Sequence, residues 1–282
     1  MNEFDFIAAL RSLPLHPGAQ DLRDDAAVIE IGGEALVVTH DAIAEGVHYR
    51  AGTDPADIAW KLVAVNLSDL AAKAAEPIGV LIGATLIAGS ERFVRGLREV
   101  LEAYGVKLLG GDTIAHSGPA TFGCTAIGRA TVRPVPARTG ARAGDALYVT
   151  GTIGAAMLGF EAGEGAAYLR PRPRLAEGWA LGGHVHAMMD VSDGLLLDAR
   201  RMAEASGCTA AIELGAVPFA EGVSDRLAAA RWGDDYELLF AAPEGAALPI
   251  PATRVGAMLQ KGREPLLLDG KSPPGRLGYE HR

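Results

Sequence analysis

Cysteine is nearly absent from this chain. Cys124 and Cys208 lie far apart, outside any CxxC pair and with no histidine at ligand spacing. That excludes a disulfide framework and a cysteine-based zinc site, and both read as reduced structural residues. His184 and His186 alone are too few for a zinc centre, which takes three or four protein ligands. Positive charge is also short: 26 Lys and Arg against 35 Asp and Glu give a formal net charge of −9. Nothing general therefore attracts nucleic acid or an anionic membrane, and an anionic substrate needs locally placed cations, which divalent metal would supply. No apolar run reaches the roughly 18 residues of a membrane helix, and residues 1–6 lack the basic start of a secretory signal. A soluble, cytoplasmic protein is expected. Solenoid-period repeats and low-complexity tracts are missing too.

What is present is apolar mass and well-spaced aspartate. At 282 residues and 49% hydrophobic content the chain can bury a large core, and its length suits two ordinary domains. The organising stretch is Val65-Asn66-Leu67-Ser68-Asp69-Leu70. Asp54-Pro55 reads as a helix start, an N-cap followed by Pro at the first helical position, and Pro77 marks the far end. Ile58, Leu62, Val65 and Ala72 fall on one face at helical spacing, and Asp69 lies on that face. An ionised carboxylate on an apolar stripe is costly unless a cation or several donors meet it. Buried Asp residues also cap loops or pair with Arg, so one Asp decides nothing. The repetition does more: Asp24, Asp25, Asp41, Asp112, Asp190 and Asp193 all sit beside expected strand ends or turns.

In chain order, a short helix over 4–12 is broken by Pro14, Pro17 and Gly18 before an acidic loop, Asp21-Leu22-Arg23-Asp24-Asp25. Strands over 26–31 and 35–39 joined at Gly32-Gly33 make a hairpin, which brings the acidic loop and His40-Asp41 to one end of the sheet. His48 follows in a loop, as a surface histidine or a substrate contact. After a strand over 78–87, an amphipathic helix from about Ser90 carries Phe93, Leu97, Val100 and Tyr104 on one face, so Tyr104 reads as core. A strand over 106–109 ends in Gly110-Gly111-Asp112-Thr113, a turn whose paired glycines leave amides open to phosphate. A strand over 121–131 precedes a linker marked by Pro134, Pro136, Gly140 and Gly144, and the domain boundary is placed at 134. A strand over 145–150 leads into Gly151-Thr152-Ile153-Gly154, which lacks the Gly-Lys-Ser/Thr ending of a phosphate loop and reads as a structural turn. Arg170-Pro171-Arg172-Pro173-Arg174 either faces phosphate or staples a loop. Met188-Met189-Asp190-Val191-Ser192-Asp193-Gly194 is a short strand ending in two acids, followed by a helix over 195–206 capped by Gly207. Asp193 either meets metal beside a phosphate at that helix start or caps the helix. Gly233-Asp234-Asp235-Tyr236-Glu237 is a last acidic turn before a strand over 238–241.

Together these motifs resemble the thiamine-monophosphate kinase family, within the superfamily of aminoimidazole ribonucleotide synthetase. The likeness is carried by Asp24-Asp25-Ala26, Asp41 through Gly46-Val47-His48, residues 65–72, Gly110-Gly111-Asp112-Thr113, Asp190-Val191-Ser192-Asp193-Gly194-Leu195 and Gly233-Asp234-Asp235-Tyr236-Glu237-Leu238, in family order over nearly the whole chain. It implies two α/β domains. The first, residues 1–134, is a small mixed sheet that pairs with its twin as a dimeric barrel and binds metal and ATP. The second, 135–282, is an α/β domain that completes the nucleotide and substrate site. The implied reaction moves the γ-phosphoryl of ATP onto thiamine monophosphate, in line, to give thiamine diphosphate.

By the same resemblance Asp25, Thr39, Asp41, Asp69, Asp112, Asp190 and Asp193 hold several Mg²⁺ ions, with Asp69, Asp41 and Asp193 as the catalytic set. Gly111, Asp112, Arg138, Ser192 and Tyr104 touch nucleotide, and His48, Asp234 and Tyr279 touch the thiamine substrate. A carboxylate cluster that collects Mg²⁺ suits such chemistry, because in-line phosphoryl transfer rests on positioning and charge neutralisation. Three places depart from the family pattern. Gln20-Asp21-Leu22-Arg23 replaces a Gly-rich lead, His40 stands where a small hydroxyl residue is common, and Asp234 stands where Glu is frequent. Among relatives, selenophosphate synthetase needs a reactive residue before Cys124 and the hydrogenase-maturation protein a cysteine tail; neither is in this sequence. The alternatives are an aminoimidazole ribonucleotide synthetase-like enzyme and an inactive nucleotide-binding homologue.

Overall fold

The computed structural model describes residues 3–280. Helix α1 (Glu3–Leu10) and a 3-10 turn (Pro17–Leu22) lead to strands β1 (Ala27–Ile31) and β2 (Glu34–Ala44), then α2 (Pro55–Ala72), β3 (Ala75–Thr85), α3 (Ser90–Tyr104), β4 (Lys107–Ile114) and β5 (Thr121–Ala130). The rest comprises β6 (Asp145–Val149), α4 (Ala155–Ala162), α5 (Ala166–Leu169), α6 (Leu175–Leu181), β7 (Ala187–Asp190), α7 (Leu195–Ser206), β8 (Cys208–Ile212), α8 (Arg226–Trp232), β9 (Leu238–Pro243), β10 (Thr253–Gln260) and β11 (Leu266–Leu268). Two mixed sheets result, ordered β1-β2-β5-β3-β4 and β11-β8-β10-β6-β9-β7. Neither closes on itself, so a barrel would need strands from a second chain. None of the described helices is long and apolar enough to cross a membrane.

Helix α2 starts as its residues dictate: the Asp54 carboxylate accepts from the Ala56 amide at 3.0 Å, and Pro55 takes the first helical position. It ends at Ala72, not near Pro77, which lies inside β3. The expected single apolar face is also too narrow. The helix is packed by α3, β2, β5, α6 and β7, and nearly every residue from Ile58 to Ala72 is buried. A helix enclosed on all sides must satisfy each polar residue it carries.

Two further expectations change. β2 runs on to Ala44 because β5 pairs with it from Leu36 opposite Arg129 to Ala44 opposite Thr121, so His40 and Asp41 lie within a strand. Strand alternation then buries Thr39 with Val37 and Ile43 and leaves His40 exposed. Gly110 and Gly111 are likewise in a strand and not a turn. β4 pairs in parallel with β3 through both, and a Cβ at Gly111 would sit 1.9 Å from the Ile82 carbonyl oxygen. The glycine permits the strands to approach. β4 is exposed along its length, with Leu108, Leu109 and Ile114 uncovered.

The lead into β1 is unusual. Gln20, Asp21 and Leu22 all have left-handed backbones (φ +51°, +55° and +53°), a conformation that residues other than glycine avoid. Arg11 fastens this turn by donating to the carbonyls of Asp21 at 2.9 Å and Leu22 at 3.2 Å. Asp21 is exposed on it. One core joins the first sheet and α2 to Leu175, Met188, Leu238 and Phe240, so it passes residue 134; a second fills the space around α7, β8 and β10.

Candidate active site

α2, the loop before β1, β2 and the end of β7 meet at one place. There Asp25, Asp69 and Asp190 each present a carboxylate oxygen, all within 4.8 Å of one another. Burial, with the charges of Asp41, Asp190 and Asp25 around it, pushes the Asp69 carboxyl well above its ordinary range. Burial and then Asp25 do the same to Asp190. Asp41 is raised to about 6 by burial and by Asp25 and Asp193. Asp25 goes the other way. Burial alone would raise it, but Arg138 and Lys73 outweigh burial and hold it well below the usual carboxylate range.

Local contacts fix these groups. Thr39 Oγ1 donates to Asp69 and lies 3.2 Å from the Asp25 carbonyl. Asn66 accepts the Asp41 amide at 3.0 Å and donates to the Leu62 carbonyl at 2.9 Å, tying β2 to α2. Ser68 donates to one Asp190 oxygen at 2.6 Å, while the other, Oδ1, is buried with no hydrogen-bond partner. All-oxygen donors, crowded carboxylates and an orphaned buried oxygen fit a hard divalent cation such as Mg²⁺.

The sequence reading missed Lys73 as a counter-cation and gave Arg138 a nucleotide contact alone. Lys73, fully buried at the end of α2, places Nζ 2.5 Å from Asp24 Oδ1 and 2.9 Å from Asp25 Oδ2. Arg138 pairs with Asp25 and donates its backbone amide to Asp24 at 3.2 Å. Asp198 was missed too. Fully buried on α7, it accepts the amides of Asp193 and Gly194 at 3.1 Å each, and burial raises it to about 7. Asp193 therefore does not cap α7; its carboxylate pairs with Arg201.

The remaining candidates surround residues 192 and 193. Asp234 donates its amide to the Ser192 carbonyl at 2.7 Å, and Tyr279 donates its amide to the Asp193 carbonyl at 2.9 Å. His48 Nδ1 accepts the Ala44 amide at 3.1 Å, and its carbonyl accepts from Lys61 Nζ at 3.1 Å. Lys61 also lies 2.5 Å from Asp234 Oδ2. Three other candidates lie on α3 and β4. Tyr104 is half-buried edge-on to Trp60, with ring centres 6.0 Å apart, and Gly111 and Asp112 are exposed on β4. Every arginine of the basic run has a carboxylate partner: Arg170 pairs with Asp57 and Glu99, Arg172 with Glu177, Arg174 with Glu237. Of the two readings left open for that run, the staple describes its contacts.

Residues 23–130 match the family described as AIR synthase related protein, N-terminal domain, and residues 142–253 match AIR synthase related protein, C-terminal domain. The thiamine-monophosphate kinase of Caulobacter vibrioides is 39% identical over an alignment that takes in 99% of this chain and 90% of the relative. This chain belongs to the thiamine-monophosphate kinase family. The Escherichia coli K12 member is 35% identical, with 92% and 90% of the two chains covered. Among solved structures, AaThiL complexed with AMPPCP and TMP matches with a TM-score of 0.89 at 28% identity, covering 100% of this chain and 97% of that one. The Stenotrophomonas maltophilia thiamine-monophosphate kinase matches with a TM-score of 0.77 at 32% identity, covering 95% and 96%. Membership of this kinase family makes the chain a phosphotransferase.

Proposed function

We propose that this protein transfers the γ-phosphoryl of ATP in line onto the phosphate of thiamine monophosphate, giving thiamine diphosphate. The observation that carries the reading is the convergence of Asp25, Asp69 and Asp190 in a family whose relatives bear the thiamine-monophosphate kinase name. Asp25, Thr39, Asp41, Asp69, Asp190 and Asp193 would hold Mg²⁺, with Asp112 joining them. Bound there, Mg²⁺ neutralises the crowded phosphate oxygens and orients them for displacement. The chain's own residues set the frame. Lys73 and Arg138 keep Asp25 ionised, Ser68 aims Asp190, and Asn66 fixes Asp41 against α2. The acceptor phosphate is already a nucleophile at neutral pH, so no side chain has to act as base.

On this reading Arg138, Ser192, Gly111, Asp112 and Tyr104 contact nucleotide, while His48, Asp234 and Tyr279 contact the acceptor. The chain divides near residue 134 and works as a homodimer. The dimer is supported by the exposed edge strand β4 with Leu108, Leu109 and Ile114, because an uncovered apolar strand edge calls for a partner. The test is conversion of thiamine monophosphate by purified protein with ATP, with and without Mg²⁺, beside an aminoimidazole-pathway substrate. Magnesium-dependent thiamine diphosphate is the expected product. Turnover of the control substrate in its place would overturn the reading.

A further inference from the structure

Among the described residues two lysines are buried, and the phosphoryl-transfer reading uses only Lys73. The other, Lys61, lies one helical stretch earlier on α2, where an ammonium is tolerated only if it is fully paired. Its three donors have three destinations. Nζ is 2.5 Å from Asp234 Oδ2 and 3.1 Å from the His48 carbonyl oxygen, and it stands 4.3 Å from the centre of the Tyr168 ring. The Lys61 side chain is 3% exposed and that of Asp234 is 21% exposed. The carboxylate therefore reaches the surface of the site, and the ammonium behind it does not.

Asp234 needs such a hold. Its backbone is left-handed (φ +62°), as is that of Tyr236 (φ +51°), a conformation that residues other than glycine avoid. The loop is fastened by the Asp234 amide on the Ser192 carbonyl at 2.7 Å and the Tyr236 amide on the Val191 carbonyl at 2.9 Å. Tyr236 Oη donates to Asp234 Oδ1 at 2.8 Å, so each carboxylate oxygen is met by a donor. Lys61 alone of these contacts also reaches the His48 loop, across the gap between the two segments read as binding the acceptor.

We propose that Lys61 is a positioning residue for the acceptor: its ammonium clasps the Asp234 carboxylate and the His48 carbonyl, presetting both segments before substrate arrives. The proposal rests on the reading of Asp234 and His48 as acceptor contacts. A lysine suits the task because a compact ammonium can serve a carboxylate, a carbonyl and an aromatic face at once.

The test is steady-state kinetics of the full chain with Mg²⁺, ATP and thiamine monophosphate, comparing Lys61→Met, Asp234→Asn and the double variant, with thermal unfolding of each. Lys61→Met is expected to raise the KM for thiamine monophosphate at least ~10-fold while the KM for ATP stays within about twofold. The double variant should be no worse than Asp234→Asn alone, since groups acting as a unit are not additive. If Asp234→Asn leaves the acceptor KM unchanged, the acceptor reading of Asp234 itself fails. If Asp234→Asn raises that KM and Lys61→Met does not, the positioning role is overturned. A Lys61→Met variant that loses kcat and both KM values alike, with lowered thermal stability, marks a purely structural lysine and overturns it as well. Should Lys61→Met not fold, Lys61→Gln, which still donates to Asp234, is expected to raise the acceptor KM by roughly 3- to 10-fold, and an unchanged KM counts against the proposal.

Discussion

The two halves of α2 handle charge in opposite ways. Near its C-terminal end, Asp24, Asp25, Asp41, Asp69 and Asp190 gather, and among the described residues the cations that pair with this group are Lys73 and Arg138. Near its N-terminal end, Lys61 is matched by a single carboxylate, Asp234. The two lysines are twelve residues apart, roughly 18 Å along the helix. One end carries surplus negative charge that burial makes costly, so it is built to receive further positive charge. The other end is already balanced and can only fix geometry. A buried excess of one sign points to what a site binds, whereas a buried balance points to what it holds still.

The contrast breaks most readily at Lys73. Lys73→Met leaves Asp24 and Asp25 with Arg138 alone, and in Mg²⁺-free buffer it should lower unfolding stability by roughly 3–5 kcal/mol, the scale of breaking a buried pair from one side. Denaturant titration measures it; a loss below about 1 kcal/mol would mean the acidic end does not depend on its lysine. Asp69→Asn acts in the reverse sense. Turnover of thiamine monophosphate should fall at least ~100-fold, as on losing a main electrostatic stabiliser. The same variant should be no less stable than wild type in chelator, because Asn escapes the cost that burial, and then Asp41, Asp190 and Asp25, impose on ionising a carboxyl there. Near-normal turnover in the folded variant would contradict the central role given to Asp69.

Much of this is legible in the residues. Asp54-Pro55 announces the start of α2 and Gly207 the end of α7, because cap chemistry is local. Asp24, Asp25, Asp190 and Asp193 can be picked out because acids beside strand ends repeat, whereas Asp41 and Asp112 lie within strands and Asp69 within a helix. The cations of α2 are not read so easily. Helical periodicity predicts one apolar face, with Lys61 (three after Ile58, four before Val65) and Lys73 (four after Asp69) at its edges, where a lysine ordinarily carries its ammonium out to water. Only packing on every side turns them inward. For Lys61, a lysine within the apolar run from Ile58 to Ala72 is itself the signal; Lys73 lies just past that run. Asp198 is hidden for a related reason, since its partners are backbone amides four and five residues earlier. β8 and β11 are short runs whose strand character comes from their neighbours, β10 is placed by its pairing with β8, and Gly110-Gly111 reads as a turn until β3 is placed beside it.

Metal sharpens the contrast by addressing one end alone. At ten times its Kd, Mg²⁺ should stabilise the wild type by about 1.4 kcal/mol through mass action. Asp190→Asn should show a smaller increment, and Lys61→Met the full one, since Asp234 and Lys61 lie outside the acidic group. Thermal unfolding with and without Mg²⁺ checks this, and loss of the increment in Lys61→Met would merge two ends that the contrast separates. The smallest expected effect lies at the exposed start of the helix. Asp54 caps the Ala56 amide and pairs with Arg92, and those two contacts, the Arg92 hydrogen bond first, hold its carboxyl at about 2. Asp54→Ala should therefore cost about 1 kcal/mol at neutral pH, the usual loss of an N-cap, with little from the solvent-screened ion pair. A carboxyl depressed in the folded state stabilises above its unfolded pKa and loses that contribution as pH falls through the folded value. The gap between wild type and Asp54→Ala should thus hold steady from pH 7 to 5 and narrow from pH 4 toward 2. A gap that widens on acidification would show that the helix start does not rest on an ionised Asp54.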